Sequence, residues 1–200
     1  NGEKYVKHEE FIFGNSILGI LMDVTGEYNR RRQLEMERDL DMITGLYNRR
    51  GLEGRVNVLS ACPDKLKHGA LVMIDADGLK KINDQYGHDA GDAYLKGIGD
   101  AIRLFNSKDS ICARWGGDEF VMFLYNFESD AQVDEQIQRL AQVRQNVKVA
   151  VSDSHMVNVN FSFGVSRLNR GQDFQTLLKE ADEKMYESKR ERKQCREAGK

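Results

Sequence analysis

The chain has 200 residues, 40% of them hydrophobic and 31% charged, and its 30 Lys and Arg nearly balance 32 Asp and Glu. That composition excludes disordered and collagen-like chains and suits one hydrophobic core with an appendage. A net charge of -2 gives no global attraction for nucleic acid or anionic lipid, so a polyanionic ligand has to meet a local site. No apolar run approaches the roughly 18 residues of a membrane span, and the longest candidate, Phe11 to Met22, is broken by polar residues. The chain starts Asn-Gly-Glu-Lys with neither Met nor a basic-then-apolar leader, which predicts a piece of a longer protein without a signal peptide. Cys62, Cys112 and Cys195 show no CxxC spacing, so neither a disulfide framework nor a zinc site is indicated, and a reducing cytoplasm fits.

In chain order, Glu10 to Asn15 and Ser16 to Asp23 read as short strands, with Gly14 and Gly19 as punctuation. Gly26 to Asp41 is a charged run of good helix formers whose apolar residues, Tyr28, Leu34, Met36 and Leu40, are too sparse for a heptad, so it reads as a connecting helix. After the Thr44-Gly45-Leu46 turn, Asn48 can cap a helix that runs to about Ser60 and stops at Cys62-Pro63-Asp64. Ala70 to Ile74 is a continuous apolar run expected to be a central strand, and it ends on Asp75-Ala76-Asp77-Gly78. A short helix around Leu79 to Gln85 follows, then a Gly87-His88 turn and a helix from about Ala90 to Phe105. Ser110 to Arg114 and Phe120 to Tyr125 read as a hairpin around Trp115-Gly116-Gly117-Asp118-Glu119, whose glycines permit backbone angles that other residues resist. A helix from Ser129 to Asn146, strands Val147 to Val151 and Val157 to Val165, and a helix from Phe174 to about Glu197 complete an α+β sandwich.

Asp75 and Asp77 close the buried strand while Asp118 and Glu119 sit at a hairpin tip, so two carboxylate pairs are expected to converge. Hard oxygen ligands of this kind suit Mg²⁺, which completes its octahedron with water and substrate phosphates, and two such ions support phosphoryl transfer. Asp75 and Asp77 would read as a turn and a helix cap were Asp118-Glu119 not preceded by two glycines, and Gly116-Gly117 reads equally as a plain turn. Lys80 is a candidate phosphate contact at a helix start, or half of a solvated pair with Lys81. Asn83 and Asp92 have the donors and acceptors to read a guanine edge, whereas His88 reads as a capping or packing group.

Together these segments resemble the GGDEF family of diguanylate cyclases. Asp41-Met-Ile-Thr-Gly-Leu-Tyr-Asn-Arg-Arg50 is similar to DxLTGLxNRR, Asp75 to Asn83 to DxDxFKxxND, and Gly87-His88 with Gly91-Asp92 to GHxxGD. Arg114 to Phe120 matches RxGGDEF, Ser162 to Ser166 resembles SxGxA, and Ala181 to Lys189 resembles ADxALYxAK, so the resemblance covers Asp41 to about Lys193. It implies a nucleotidyl-cyclase-like domain, an α+β fold with a central, mostly antiparallel sheet flanked by helices. It also implies a bacterial signalling enzyme that condenses two GTP into cyclic di-GMP and two pyrophosphates across a homodimer. By motif, Asp75, the Ala76 carbonyl, Asp118 and Glu119 would hold Mg²⁺ or Mn²⁺, two ions per site, with Asp118 or Glu119 as the base. Asn83 and Asp92 would read guanine, His88 would line the pocket, Lys80, Lys189 and Lys193 would hold phosphates, and Gly116 and Gly117 would let the backbone approach them.

Some positions depart from the pattern. The arginine and aspartate of the inhibitory RxxD site are replaced by Ser107 and Ser110, so product feedback there is not expected. The KxxGRN-like ending reads Lys189-Arg-Glu-Arg-Lys193-Gln, keeping a cation but losing the glycine, and Gly78 and Leu79 stand where the family often has aromatics. Gly19 to Thr25 resembles the last strand of a PAS-type sensor, giving an expected division into a sensor remnant at 1–26, a helical linker at 27–41 and the cyclase domain at 42–200. An upstream sensor in the parent protein, no nucleic acid, no direct membrane contact, and a cytoplasmic site in a parent free or membrane-anchored follow from this reading. The alternative is a catalytically silent GTP-binding module; a cyclic di-GMP receptor is disfavoured by the missing RxxD.

Overall fold

A computed structural model of the chain describes residues 3–105, 107–152, 155–169 and 171–198, with the side chains of 63, 145 and 193–198 outside the description. It divides into two units, Asn1–Arg38 and Asp39–Lys200. In the first, strands β1 (Val6–Phe13) and β2 (Ser16–Asp23) pair antiparallel around Gly14, whose φ of 58° suits glycine. The hairpin starts before the expected Glu10 because its side chains are exposed on both faces, so polar Lys7, His8 and Glu9 sit in it as readily as apolar residues. Asp23 accepts a hydrogen bond from the Thr25 N–H at 3.0 Å where helix α1 (Thr25–Asp39) begins, and Tyr5 stacks on Tyr28 with ring centroids 3.8 Å apart.

The second unit is built on strand β4 (Ala70–Ala76), every residue of which is buried. It pairs antiparallel with β6 (Glu119–Leu124) on one side and β9 (Phe161–Arg167) on the other. β5 (Ser110–Arg114) and the two-residue β3 (Tyr47–Asn48) extend the sheet to the order β3-β5-β6-β4-β9, antiparallel except for the β3–β5 pair. The period of two along β4 splits the core into two layers. Ala70, Val72 and Ile74 join Tyr94, Ile98 and Ile102 of α4 (His88–Arg103) and Val133 and Leu140 of α5 (Asp130–Asn146). Leu71 and Met73 join Leu52 and Val56 of α2 (Arg49–Ser60) and Leu177, Ala181 and Met185 of α6 (Phe174–Ala198). The α+β sandwich expected from the sequence is therefore a sheet with helices on both faces.

Asn48 caps α2 as expected, its Oδ1 accepting from the Gly51 N–H at 2.9 Å. Short helix α3 (Leu79–Tyr86) starts after Gly78, whose φ of 82° places it in the left-handed region. The strand expected over Val157 to Val165 is two. β8 (His155–Asn158) pairs with β7 (Lys148–Ser152) in a separate hairpin, and the chain leaves it at Asn160 to begin β9. The break is held by Tyr94, whose one hydroxyl proton is shared between the Asn160 and Asp77 carbonyls at 3.0 and 2.9 Å and whose oxygen accepts from the Asn160 N–H at 2.9 Å. A periodicity argument does not register such a crossover, because the alternation of Val157, Val159, Phe161, Phe163 and Val165 with polar residues or glycine runs through it unbroken. Cys62 is exposed, whereas burial pushes the Cys112 thiol up to about 12; both are free, and Cys195 falls among the undescribed side chains. No helix among the described residues is long and apolar enough to cross a membrane.

Candidate active site

Asp75 is the sixth residue of β4 and has the same parity as Leu71 and Met73, so it lies on the sheet face that α6 covers. Across the β4–β6 ladder its partner in register is Glu119, and the next rung is closed by the Ala76 N–H donating to the Asp118 carbonyl at 2.8 Å. From α6, Lys189 brings its Nζ to 2.6 Å from Asp75 Oδ1, joining groups 114 residues apart. The expected residues Asp75, Ala76, Asp118, Glu119 and Lys189 are thus gathered at one end of the central strands.

Their electrostatics are those of crowded acids with one cation. Burial pushes the Asp75 carboxyl above its ordinary range, and Asp118 and Asp77 add to this; the Lys189 hydrogen bond and charge pull the other way without reversing it. Glu119 is raised too, by burial first and then by Asp118, Asp182 and Asp75. For Lys189, burial opposes the charged form, but the hydrogen bond and charge of Asp75, helped by Asp77 and Asp118, outweigh it and raise its pKa. Among the described residues no group of three or more His, Cys, Asp or Glu is arranged to hold a metal unaided. The donors nevertheless fit a hard divalent cation that takes one or two carboxylates and obtains its remaining oxygens from phosphate and water. Such an ion would offset both the burial and the repulsion that raise the two acids.

Asp77 corrects the expectation of two converging carboxylate pairs. It lies in the turn after β4, where its carboxylate accepts from Ser162 Oγ at 3.0 Å and from Arg192 Nη1 at 3.0 Å. Its charge is therefore already matched by Arg192, although it still adds to the field at Asp75 and Lys189, and Asp182 on α6 adds to the field at Glu119. The hairpin glycines also differ from expectation, since neither Gly116 nor Gly117 has a positive φ. What the hairpin needs is room. A Cβ on Gly116 would sit 3.0 Å from Glu119 Oε2, whereas one on Gly117 would meet nothing within 4 Å.

The hairpin is braced from the opening motif, a role that the sequence did not reveal. Arg114 Nε and Nη2 donate to the Gly116 and Gly117 carbonyls at 3.1 and 2.7 Å, and its Nη1 reaches Asp41 Oδ2 at 3.1 Å. Asp41 in turn accepts from the Thr44 N–H and hydroxyl at 2.8 and 2.7 Å. Arg49 lies over the ring of Trp115, the residue after Arg114, 4.4 Å from its centroid, and steadies the same end of β5.

Lys80 is exposed in the first turn of α3. His88 is exposed at the first residue of α4, and the cap position there is Gly87, so the expected packing or capping role for the histidine is not what it has. Asn83 lies on α3 with its Oδ1 buried and without a hydrogen-bond partner, directly against Gly91 of α4, and exposed Asp92 is the next residue. An orphaned amide oxygen in a polar corner is costly unless a ligand donor meets it. Lys193 lies on α6, but its side chain is outside the described ones. On the GTP reading that the resemblance implies, Gly91→Ala is expected to weaken nucleotide binding about tenfold with little loss of thermal stability, because the new Cβ would overlap Asn83 Oδ1 and turn the amide away. Calorimetric titration of the variant with GTP checks this, and unchanged affinity would rule out a ligand role for the Asn83 amide.

The family model described as "Diguanylate cyclase, GGDEF domain" matches residues 38–195. Diguanylate cyclase DgcN of Escherichia coli K12 is 31% identical over 177 residues, covering 86% of this chain and 43% of that protein. Cyclic di-GMP phosphodiesterase PdeR of the same strain is 30% identical over 168 residues, covering 84% and 25%. The chain thus spans less than half the length of these curated relatives. The solved GGDEF domain of TpbB (YfiN) from Pseudomonas aeruginosa is 32% identical and superimposes with a TM-score of 0.68 over 76% of this chain and 89% of that one.

Proposed function

Given that this chain belongs to the GGDEF family of diguanylate cyclases, we propose that it condenses two GTP into cyclic di-GMP and two pyrophosphates. The observation that carries the reading is the intact acid set, with Asp75 and Glu119 in cross-strand register and Asp118 tied through its backbone to Ala76. Each GTP contributes a 3′ hydroxyl whose oxygen bonds to the α-phosphorus of the other while the bond to the β-phosphate oxygen breaks and pyrophosphate leaves. Two chains form the homodimer, each holding one GTP, so that each hydroxyl meets the partner's phosphorus.

Asn83 and Asp92 read the guanine edge beside Gly91, with His88 lining the pocket. Lys80, Lys189 and Lys193 hold phosphate oxygens, and Gly116 and Gly117 leave room for the triphosphate against the hairpin. Asp118, or Glu119 beside it, accepts the hydroxyl proton at a carboxylate oxygen. Asp75, the Ala76 carbonyl, Asp118 and Glu119 are the groups that would hold two Mg²⁺ or Mn²⁺ ions, which when bound acidify the hydroxyl and neutralise charge on the phosphate. Lys189 has then to pass from Asp75 to the nucleotide. A GTP-using domain of this kind works in the cytoplasm, under an upstream sensor of which residues 1–26 are the remnant and 27–41 the link, without nucleic acid or membrane contact of its own.

The test is incubation with GTP and Mg²⁺ over a range of protein concentrations, following both products, with an EDTA-treated arm. Product rising faster than linearly with protein, at two pyrophosphates per cyclic di-GMP and none with EDTA, is the expected outcome. The kinship to a phosphodiesterase keeps a second reading in view, a silent GTP-binding module, for which GTP binds and no product forms at any concentration.

A further inference from the structure

Two cations on one face of α6 each take one acid of Asp75-Ala76-Asp77, and they do so differently. Among the described residues Lys189 hydrogen-bonds to Asp75, at 2.6 Å, and its side chain is 43% exposed. Arg192, one turn later, is 29% exposed and has three acceptors: Asp77 Oδ2 at 3.0 Å, the Phe161 carbonyl at 2.9 Å and Ser162 Oγ at 3.3 Å. Ser162 also donates to Asp77, so the guanidinium closes a ring of hydrogen bonds joining the end of β4, the start of β9 and α6. Arg144 of α5 donates to the same Phe161 carbonyl at 3.4 Å. The KxxGRN-like ending that the chain resembles has a glycine at position 192; here an arginine fills it, and all three of these bonds leave from its Nη1.

We infer that Arg192 is a positioning residue: it keeps the late turns of α6 docked on Asp77, Ser162 and Phe161 while Lys189 gives up Asp75 for nucleotide phosphate. The inference rests on the GTP reading above and adds a division of labour to it. A lysine that held both the acid and the helix would release the helix when it changed partner. With Arg192 as a separate tether, the ammonium turns by rotamer change alone and its backbone stays in place, so less ordering is needed on binding.

A double-mutant cycle on the full chain tests this, reading affinity for a GTP analogue with a methylene bridge between the α- and β-phosphorus, in Mg²⁺, by calorimetry. Arg192→Ala is expected to weaken binding about tenfold, and Arg192→Lys to recover most of that loss by restoring the bond to Asp77. In a Lys189→Ala background the same Arg192→Ala change is expected to cost less than about twofold, since there is no ammonium left to position. Should Arg192→Ala not fold, Ser162→Ala, which removes one acceptor of the ring, is expected to lose about twofold in the native background and nothing in the Lys189→Ala background. Equal losses in both backgrounds, or wild-type affinity in Arg192→Ala, would overturn the inference and leave the GTP reading standing. Failure of the wild-type chain to bind the analogue overturns both.

Discussion

Asp118→Ala is expected to lower cyclic di-GMP formation at least about a thousandfold while the protein stays folded. The two halves of that expectation come from different atoms of one residue. Its structural bond is the backbone carbonyl that accepts from Ala76 N–H, and alanine keeps it. Its carboxylate adds to the rise that burial first causes in Asp75 and Glu119, so removing it lowers the repulsion among the acids. The melting temperature is therefore expected to hold or rise slightly as turnover disappears, a pairing that a merely destabilising change cannot give. Differential scanning calorimetry beside the product assay reads both, and a variant retaining more than a tenth of wild-type turnover would remove Asp118 from the chemistry.

The largest structural loss is expected at Gly164. This residue of β9 lies opposite Met73 on the face that α6 covers, and its missing side chain lets the helix backbone come down onto the strand. A Cβ there would overlap the Met185 backbone nitrogen and the Ala181 carbonyl oxygen, neither of which can rotate away, and Lys184 C would be 2.7 Å from it. Gly164→Ala should thus cost about 3 kcal/mol and lower the melting temperature by roughly 10 °C. Because α6 also carries Lys189, GTP affinity is expected to fall at temperatures where the variant is still folded. Unchanged melting would mean that α6 packs less closely on β9 than described. A control at Gly117, where a Cβ meets nothing, should melt as the wild type does.

Much of this architecture was legible in the chain itself, for identifiable reasons. The run Ala70 to Ile74 announces a strand buried on both faces because only such a strand avoids polar residues on both parities, and the acids that follow must then sit at its end. Asn48 as a cap and Pro63 as a stop are local chemistry. What stayed hidden depends on partners far along the chain. Asp77 looks like Asp75 in sequence, and only the arrival of Arg192, 115 residues later, sets their roles apart. Arg114 reads as a strand residue until Asp41, 73 residues earlier, shows what its guanidinium holds. Gly116 and Gly117 suggested unusual torsions, but a glycine can also be required by what lies against it, and sequence does not separate the two.

Helix α6 is fastened in two different ways along its length. Leu177, Ala181 and Met185 bury its first half against the sheet, in contacts that ignore salt and charge. Beyond Met185 the described side chains include Lys189 and Arg192 paired with acids, which do respond to them. The helix thus has a root seated mainly by apolar packing and an electrically sensitive tip. A charge arriving at the acids is felt at the tip as a change of grip, while the core at the root need not repack.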